Sequence, residues 1–310
     1  MFRKPPPASL VTLSIHSDRI DVAKVSRNGA APPVVEICSS SPKQPAENEA
    51  LETLRKEMHL ERFRCGMLLG ASEYQLQLLE APSVPDAELK SAIRWKLKDV
   101  LDYPVETATV DMVTVPADPN APTRGKSVYA VAARNSVIES RMKLFHDARI
   151  PLQVIDIPEL AQRNIAALLE TEGRGLALLS FGADSGLLTF TAGGELYLSR
   201  RIEIGLDMLM AADTERRVQM FERITLELQR SLDHFDRQFT FVPLARLVVA
   251  PLPPELGLEN YLAGNLYVPV EAADLSTLLD LGGRDELRDP QQQQRYFHLL
   301  GAALRSDMPQ

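Results

Sequence analysis

The chain has 310 residues, of which 45% are apolar and 25% charged, and its formal net charge at pH 7 is −8. This length and composition allow a substantial buried core and exclude global disorder. A mildly acidic chain with scattered basic residues is not built to attract nucleic acid or an anionic lipid surface.

The first segment, residues 1–8, is rich in proline and is predicted to be a flexible N-terminus. It lacks the apolar run of a signal peptide, and no stretch of the chain approaches the ~20 apolar residues that span a bilayer. The two cysteines, Cys38 and Cys65, lack metal-type spacing and are expected to be reduced thiols. We therefore expect a cytoplasmic protein without direct membrane insertion, which reaches a membrane only through a partner.

The pattern of apolar residues predicts an α/β protein. Strands are predicted at residues 10–15, 19–25, 64–70, 74–79, 109–115, 127–132, 151–157, 176–181, 186–191, 195–202 and 247–250. Helices are predicted at residues 49–60, 86–103, 136–148, 159–169, 214–238 and 291–305, and a polar loop at residues 39–48. Because β-rich blocks near residues 10–25 and 176–202 are each followed by helices, two related α/β lobes are expected.

The helix predicted for residues 86–103 carries one apolar stripe and ends before Pro104. The stripe consists of Leu89, Ile93, Leu97, Val100 and Leu101. Trp95, the one tryptophan of the sequence, falls on the opposite side of the helical wheel. Two interpretations stay open: Trp95 packs against another element of the chain, or it anchors a partner, because tryptophan is enriched among interface hot spots.

The sequence offers no arrangement of residues that is typical of a catalytic or metal site. None of the five histidines has a second histidine or a cysteine three or four residues later, so a zinc site is not expected. Ser185 lies between glycines, but Ala183 stands where a nucleophile elbow needs a glycine. We therefore predict no catalytic residues, no metal site and no enzyme activity.

Residues 84–96, followed by Asp102, Tyr103, Pro104 and Asp111, resemble a helix motif of the PilM family of type IV pilus assembly proteins. Further stretches resemble the family in the same order: residues 128–156, 200–205 and 227–233. The resemblance covers nearly the whole chain. It is greatest to the MshI branch, which belongs to the biogenesis of the mannose-sensitive haemagglutinin (MSHA) pilus.

The resemblance implies an α/β, actin-like (ribonuclease H-like) two-lobed fold with a small inserted subdomain of the PilM and FtsA type. Lobe I is then expected to hold residues 9–155 and the C-terminal segment 291–308, with the inserted subdomain at about residues 82–155. Lobe II is expected to hold residues 156–290.

The function implied by the resemblance is that of a cytoplasmic scaffold, peripheral to the inner membrane. Such a scaffold binds the cytoplasmic tail of a PilN-like bitopic inner-membrane protein. Residues Arg94, Trp95, Lys98 and Tyr103 are predicted to line the partner groove, because they are expected to point outward and because aromatic residues and arginine are enriched at interfaces. A homo-oligomer is also possible for an actin relative.

Actin-like proteins hold nucleotide phosphates with an Asp-x-Gly motif in each of two loops, and this chain departs from both motifs. In the first loop, Ser14 and His16 replace the aspartate and the glycine, and Ser17 follows. Serine lacks the negative charge that Mg²⁺ sites favour. The side chain of His16 stands where glycine would let a phosphate approach the backbone.

The second loop and the adenosine-side turn depart from the family pattern as well. Ser180 replaces the aspartate of the second loop, although Gly182 is kept and Ala183 follows it. Pro251 lies where the family has a Gly-Gly turn, and proline offers no backbone N–H. We therefore expect no cofactor and no hydrolysis. The alternative is an actin-like protein that binds ATP with Mg²⁺ in the cleft between the lobes, with Asp18 or Asp184 as the acid.

Overall fold

The computed structural model of the chain describes residues 10–27, 29, 31–43, 46–119 and 126–305. The predicted flexible N-terminus, residues 1–8, lies outside the described residues. So do residues 306–308 of the C-terminal segment that was assigned to lobe I.

The described chain contains both strands and helices, as the apolar pattern predicts. It also contains elements that the pattern did not predict: strands at Val34–Pro42 and Val270–Ala272, and helices at Leu206–Ala211, Leu258–Asn265 and Leu275–Leu278. The strands are β1 (Leu10–Ile15), β2 (Arg19–Ser26), β3 (Val34–Pro42), β4 (Arg64–Leu68), β5 (Tyr74–Glu80), β6 (Ala108–Val115), β7 (Ser127–Arg134), β8 (Leu152–Asp156), β9 (Gly175–Phe181), β10 (Gly186–Ala192), β11 (Glu195–Ile202), β12 (Leu244–Val249) and β13 (Val270–Ala272). The α-helices are α1 (Glu47–Met58), α2 (Asp86–Leu97), α3 (Asn135–Asp147), α4 (Pro158–Leu169), α5 (Leu206–Ala211), α6 (Thr214–Gln238), α7 (Leu258–Asn265), α8 (Leu275–Leu278) and α9 (Pro290–Ala303).

Two five-stranded sheets share one strand order. The first runs β3-β2-β1-β4-β8 and the second β11-β10-β9-β12-β13. In the second sheet, β9, β10 and β11 pair antiparallel, whereas β12 pairs parallel with β9 and with β13. Each sheet thus places its first strand in the centre, between its second and its fourth. This duplication agrees with the two related α/β blocks that the sequence predicts.

The second sheet is covered on both faces, which explains why every residue of β9 is buried and all but Gly175 and Ser180 have apolar side chains. On one face, Phe190 of β10 stacks on Phe235 of α6, with ring centroids 4.6 Å apart. On the other face, Leu178 belongs to a core that Ile165 of α4 and Phe297 of α9 also form. The C-terminal helix α9 is therefore an integral part of the core around β9.

A third, antiparallel sheet has the order β5-β7-β6. Helix α2 covers one of its faces with Ile93 and Leu97, which pack into a core with Ala130 and Ala132 of β7. This sheet begins at Tyr74, upstream of the boundary expected near residue 82, because β5 pairs along β7. It is the small inserted element on which the candidate groove lies.

Two element predictions are wrong. The polar loop predicted at residues 39–48 begins inside β3, which reaches Pro42. Strand β3 lies at a sheet edge, where serine and proline are tolerated, so the polar pattern concealed it. Helix α2 ends at Leu97, not at Tyr103: the N–H groups of Lys98 and Val100 bond to carbonyls three residues back, and a turn replaces the last predicted turns of α-helix.

Contacts divide the described chain into two compact units. One comprises the chain up to Thr12, Asp21–Ser39 and the chain from Glu159 onward; the other comprises Leu13–Ile20 and Ser40–Pro158. The boundaries of lobes I and II stay a prediction. Among the described residues, none of the helices combines the length and the apolar character of a membrane span.

Candidate functional site

The first predicted phosphate turn joins β1 to β2 and is closed by its own hydrogen bonds. The backbone N–H of His16 donates to the carbonyl of Arg19 at 2.9 Å, and Nζ of Lys43 donates to the carbonyl of His16 at 2.9 Å. Ser14 lies near the end of β1, partly buried, and Ser17 is exposed. Asp18, a possible replacement acid, is exposed and pairs with the guanidinium of Arg19 at 3.2 Å.

The side chain of Ser180, at the end of β9, is turned into the protein and is only 2% exposed. Its hydroxyl donates to Oε1 of Gln162 on α4 at 2.5 Å. The amide of Gln162 is itself fixed, because Nε2 donates to the carbonyl of Leu178 at 2.7 Å and to Oγ1 of Thr189 at 2.9 Å. Ser180 is thus one member of a satisfied buried network.

His298 of α9 completes this network. Its Nε2 lies 3.0 Å from Oγ of Ser180 and 3.1 Å from Oε1 of Gln162. Because the Ser180 hydroxyl already donates to Gln162, the Nε2 atom must carry the proton of the neutral ring. Burial lowers the pKa of His298 to about 4, so the ring is neutral at pH 7. We call Ser180, Gln162 and His298 the β9 network.

The backbone of the second loop is also occupied. The N–H of Gly182 donates to the carbonyl of Ser185 at 2.9 Å, and the carbonyl of Gly182 accepts from the N–H of Leu206 at 2.8 Å. Gly205 packs so closely on the loop that a Cβ there would collide with the carbonyl of Ala183. The backbone N–H of Gly182 is therefore already used within the loop.

The third turn follows β12. The N–H of Ala250 donates to the carbonyl of Leu179 at 2.7 Å, and the next residue, Pro251, is buried and has no N–H. Across the described residues, no group of three or more histidine, cysteine, aspartate or glutamate side chains could hold a metal ion. Serine, histidine and proline at the three turns do not match the acids and free backbone donors that a Mg²⁺-bound triphosphate requires.

A groove lies on the outer side of α2, where the sequence placed a partner site. It has a volume of about 280 Å³ and is lined by Ser91, Arg94, Trp95, Lys98, Val105 and Glu106. We call it the α2 groove. This volume lies just below the lower end of the ~300–1,000 Å³ of typical ligand pockets and is large enough for one or two side chains of a peptide.

Trp95 is 73% exposed and forms an open wall of the α2 groove, so the interpretation that it packs against another element of the chain is wrong. The interpretation that it anchors a partner stays a prediction. Nζ of Lys98 lies 5.5 Å from the centroid of the indole ring, within cation–π range. The guanidinium of Arg94 donates to the carbonyl of Val105 at 2.7 Å and to that of Ala108 at 3.0 Å. Arg94 therefore fixes the floor of the groove to the helix.

The prediction that Tyr103 points outward is wrong: the residue is only 8% exposed and belongs to the core of the inserted sheet. Helix α2 ends before Tyr103, so the helical wheel does not apply there. The guanidinium of Arg134 covers the ring at 4.0 Å, and burial raises the pKa of the Tyr103 hydroxyl. Arg94, Trp95 and Lys98 meet at the α2 groove, and Tyr103 does not line it.

The sequence profile described as "Type IV pilus assembly protein PilM" matches residues 46–212, more than half of the chain. The chain belongs to the PilM family. The matched region contains the α2 groove and the second phosphate loop, whereas the first turn and Pro251 lie outside it. No curated protein matches the sequence.

The PilM-family chain is similar in structure to a chain of the solved "PilM-PilN type IV pilus biogenesis complex". The identity is 22% and the TM-score 0.74, over 98% of this chain and 100% of that one. A protein of unknown function with an actin-like ATPase fold, from Bacteroides thetaiotaomicron, has 9% identity and a TM-score of 0.49, covering 91% and 96% of the two chains. The cytoplasmic domain of EpsL, from the type II secretion system of Vibrio cholerae, has 16% identity and a TM-score of 0.42, covering 66% and 76%.

The likeness to the chain from the PilM–PilN complex, together with the repeated strand order, confirms the predicted actin-like α/β fold. Sequence reasoning missed Gln162 and His298. It assigned the histidines no role, and nothing in the sequence links a glutamine of α4 to a histidine 136 residues further on. Only the packing of α4 and α9 around β9 brings them to Ser180.

Proposed function

We propose that this PilM-family chain is a non-catalytic scaffold of a type IV pilus biogenesis machine. Its task is to hold the cytoplasmic tail of a PilN-like bitopic inner-membrane protein. The scaffold thereby stays on the cytoplasmic face of the inner membrane without inserting into it. The resemblance of residues 84–96 to the MshI branch supports an MSHA-like pilus as the machine that it serves.

The α2 groove carries the docking part of this proposal. The side chain of Trp95 is 73% exposed, and a large apolar side chain at the surface favours association with other molecules. Tryptophan is also enriched among the residues that contribute most of the binding energy at interfaces. Because Arg94 ties the groove floor to α2, the site is preformed, which lowers the entropy cost of binding. The groove lies in the part of the chain that matches the family.

The non-catalytic part rests on the β9 network. The family position for the second phosphate-loop acid holds Ser180, whose hydroxyl is committed to Gln162 and His298. It has no charge for a metal and is buried away from solvent. A side chain that is held in this way supports a structural role of the loop over a role in phosphate transfer.

The direct test is a calorimetric titration of the full chain with a synthetic peptide of the PilN-like tail. We expect saturable one-to-one binding in the micromolar range, typical of a short peptide in a small groove. The Trp95→Ala variant should bind at least tenfold more weakly, and a variant of another exposed apolar residue, Met142→Ala, should bind as the wild type does. If the wild-type chain does not bind the tail peptide at peptide concentrations of tens of micromolar, the proposed docking role is wrong.

A further inference from the structure

The two cations of the α2 groove are already engaged within the chain. The guanidinium of Arg94 donates to the carbonyls of Val105 and Ala108. The ammonium of Lys98 lies over the indole of Trp95, 5.5 Å from its centroid. Both cations thus have a contact within the chain, although Lys98 is exposed and forms no ion pair among the described residues.

Glu106 is the opposite case. It lies in the short 3-10 turn Val105–Thr107, is exposed, and lines the groove together with Trp95. Among the described residues it forms no hydrogen bond or ion pair, unlike Asp102 and Asp111, which pair with Arg134 and Lys90. The groove thus presents an indole face next to a carboxylate that forms no ion pair of its own within the described chain.

Charge on a larger scale favours a basic occupant. The chain carries a net charge of −8, which attracts cationic peptides and repels a second copy of itself. Segments that flank a membrane span on the cytoplasmic side carry an excess of lysine and arginine. The cytoplasmic tail of the proposed partner is short and leads directly into the inner membrane, so it is expected to carry such lysine or arginine residues. A basic tail of this kind is also attracted by the negative charge of the chain.

We propose that Glu106 binds a lysine or arginine of the partner tail, next to an apolar side chain of that tail that packs on Trp95. This inference rests on the proposed docking function and adds the chemistry of the peptide. The small groove volume, about 280 Å³, accommodates the apolar side chain, while the charged end of the basic residue stays at the exposed rim with Glu106. A pair at the rim contributes modestly to affinity and mainly fixes the direction of the peptide.

The test is a charge exchange, measured by calorimetry or fluorescence anisotropy at low salt. Glu106→Lys should weaken binding of the PilN-like tail peptide at least about fivefold, because a like charge then faces the basic residue. The control, Glu172→Lys, makes the same change of net charge at an exposed acid elsewhere in the chain and should change the Kd less than twofold. A peptide whose basic residue is replaced by glutamate should bind Glu106→Lys more tightly than it binds the wild type.

The outcomes separate this inference from the proposed function. If the wild-type chain binds the tail but Glu106→Lys and Glu172→Lys behave alike, the role of Glu106 is overturned and docking stands. If the wild-type chain does not bind the tail at all, both fail. Because Glu106 is exposed, the variants should fold normally, which the circular dichroism spectrum and the thermal midpoint establish before any titration. Self-association that the Glu106→Lys change removes would assign the groove to a second copy and overturn the inference.

Discussion

The β9 network makes a quantitative prediction for acid stability. The pKa of His298 is lowered from an ordinary value near 6.5 to about 4, because burial disfavours the charged ring. The unfolded chain therefore takes up a proton at a higher pH than the folded chain does. The contribution of this histidine to stability is complete above pH 6.5, falls as the pH is lowered from 6.5, and is fully lost below pH 4.

The size of the effect follows from the two pKa values. At pH 5 the linkage relation gives a loss of about 2 kcal/mol relative to pH 8, reduced toward about 1 kcal/mol because the ring is only partly buried. The perturbation is His298→Gln, whose amide N–H can still donate to Ser180 but does not titrate. The wild type should lose about 1–2 kcal/mol more than the variant between pH 8 and pH 5.

The assay is urea unfolding followed by circular dichroism, at pH 8, 6.5 and 5, for the wild type and for His298→Gln. Carboxylates titrate in both proteins, so their contribution cancels in the difference. Equal losses in the two proteins would refute the reasoning, since His298 would then titrate as an exposed histidine does. Ser180→Ala serves as a second probe, because it leaves Gln162 with fewer partners and should cost about 1–3 kcal/mol at pH 8.

Three further substitutions test the packing around the two candidate sites. Trp95→Ala should leave the free energy of unfolding within about 0.5 kcal/mol of the wild type while it weakens binding of the tail peptide, because the indole is 73% exposed; urea unfolding and calorimetry measure the two effects. Tyr103→Phe should be neutral or stabilising by up to about 1 kcal/mol in thermal unfolding, because the buried hydroxyl has no hydrogen-bond partner among the described residues; a clear loss of stability would show that this hydroxyl is satisfied. Gly205→Ala should destabilise by roughly 1–3 kcal/mol in urea, since the new Cβ meets the carbonyl of Ala183; an unchanged midpoint would mean that the loop moves freely.

The sequence was informative wherever a periodic pattern of apolar residues decides the structure. Helix α6 has the bounds that its apolar face predicts, Thr214–Gln238. The stripe of α2 correctly placed Ile93 and Leu97 in the core, whereas Val100, past the end of the helix, is 43% exposed. The pattern failed for β3, where serines at an edge strand conceal the alternation. It failed again at Tyr103, because a wheel continued past the end of α2 assigns a direction that the chain does not have.

A candidate site could be predicted from the sequence when its residues lie close together along the chain. The α2 groove is formed by residues within one short stretch, so three of its lining side chains could be named from the helix alone. The β9 network joins Gln162, Ser180 and His298, which lie on three elements far apart in the chain. The sequence could show that an acid is missing at Ser180, but only packing shows that the serine hydroxyl has a different use.

The central claim is that the three turns no longer hold a magnesium-bound triphosphate and that docking is the remaining task. A titration of the full chain with ATP in the presence of Mg²⁺, measured by calorimetry, tests it most directly. We predict no saturable heat up to about 1 mM nucleotide. Even a Kd of about 1 mM corresponds to a binding free energy of only about −4 kcal/mol. Saturable binding with a Kd in the micromolar range that disappears when Mg²⁺ is removed would contradict the account.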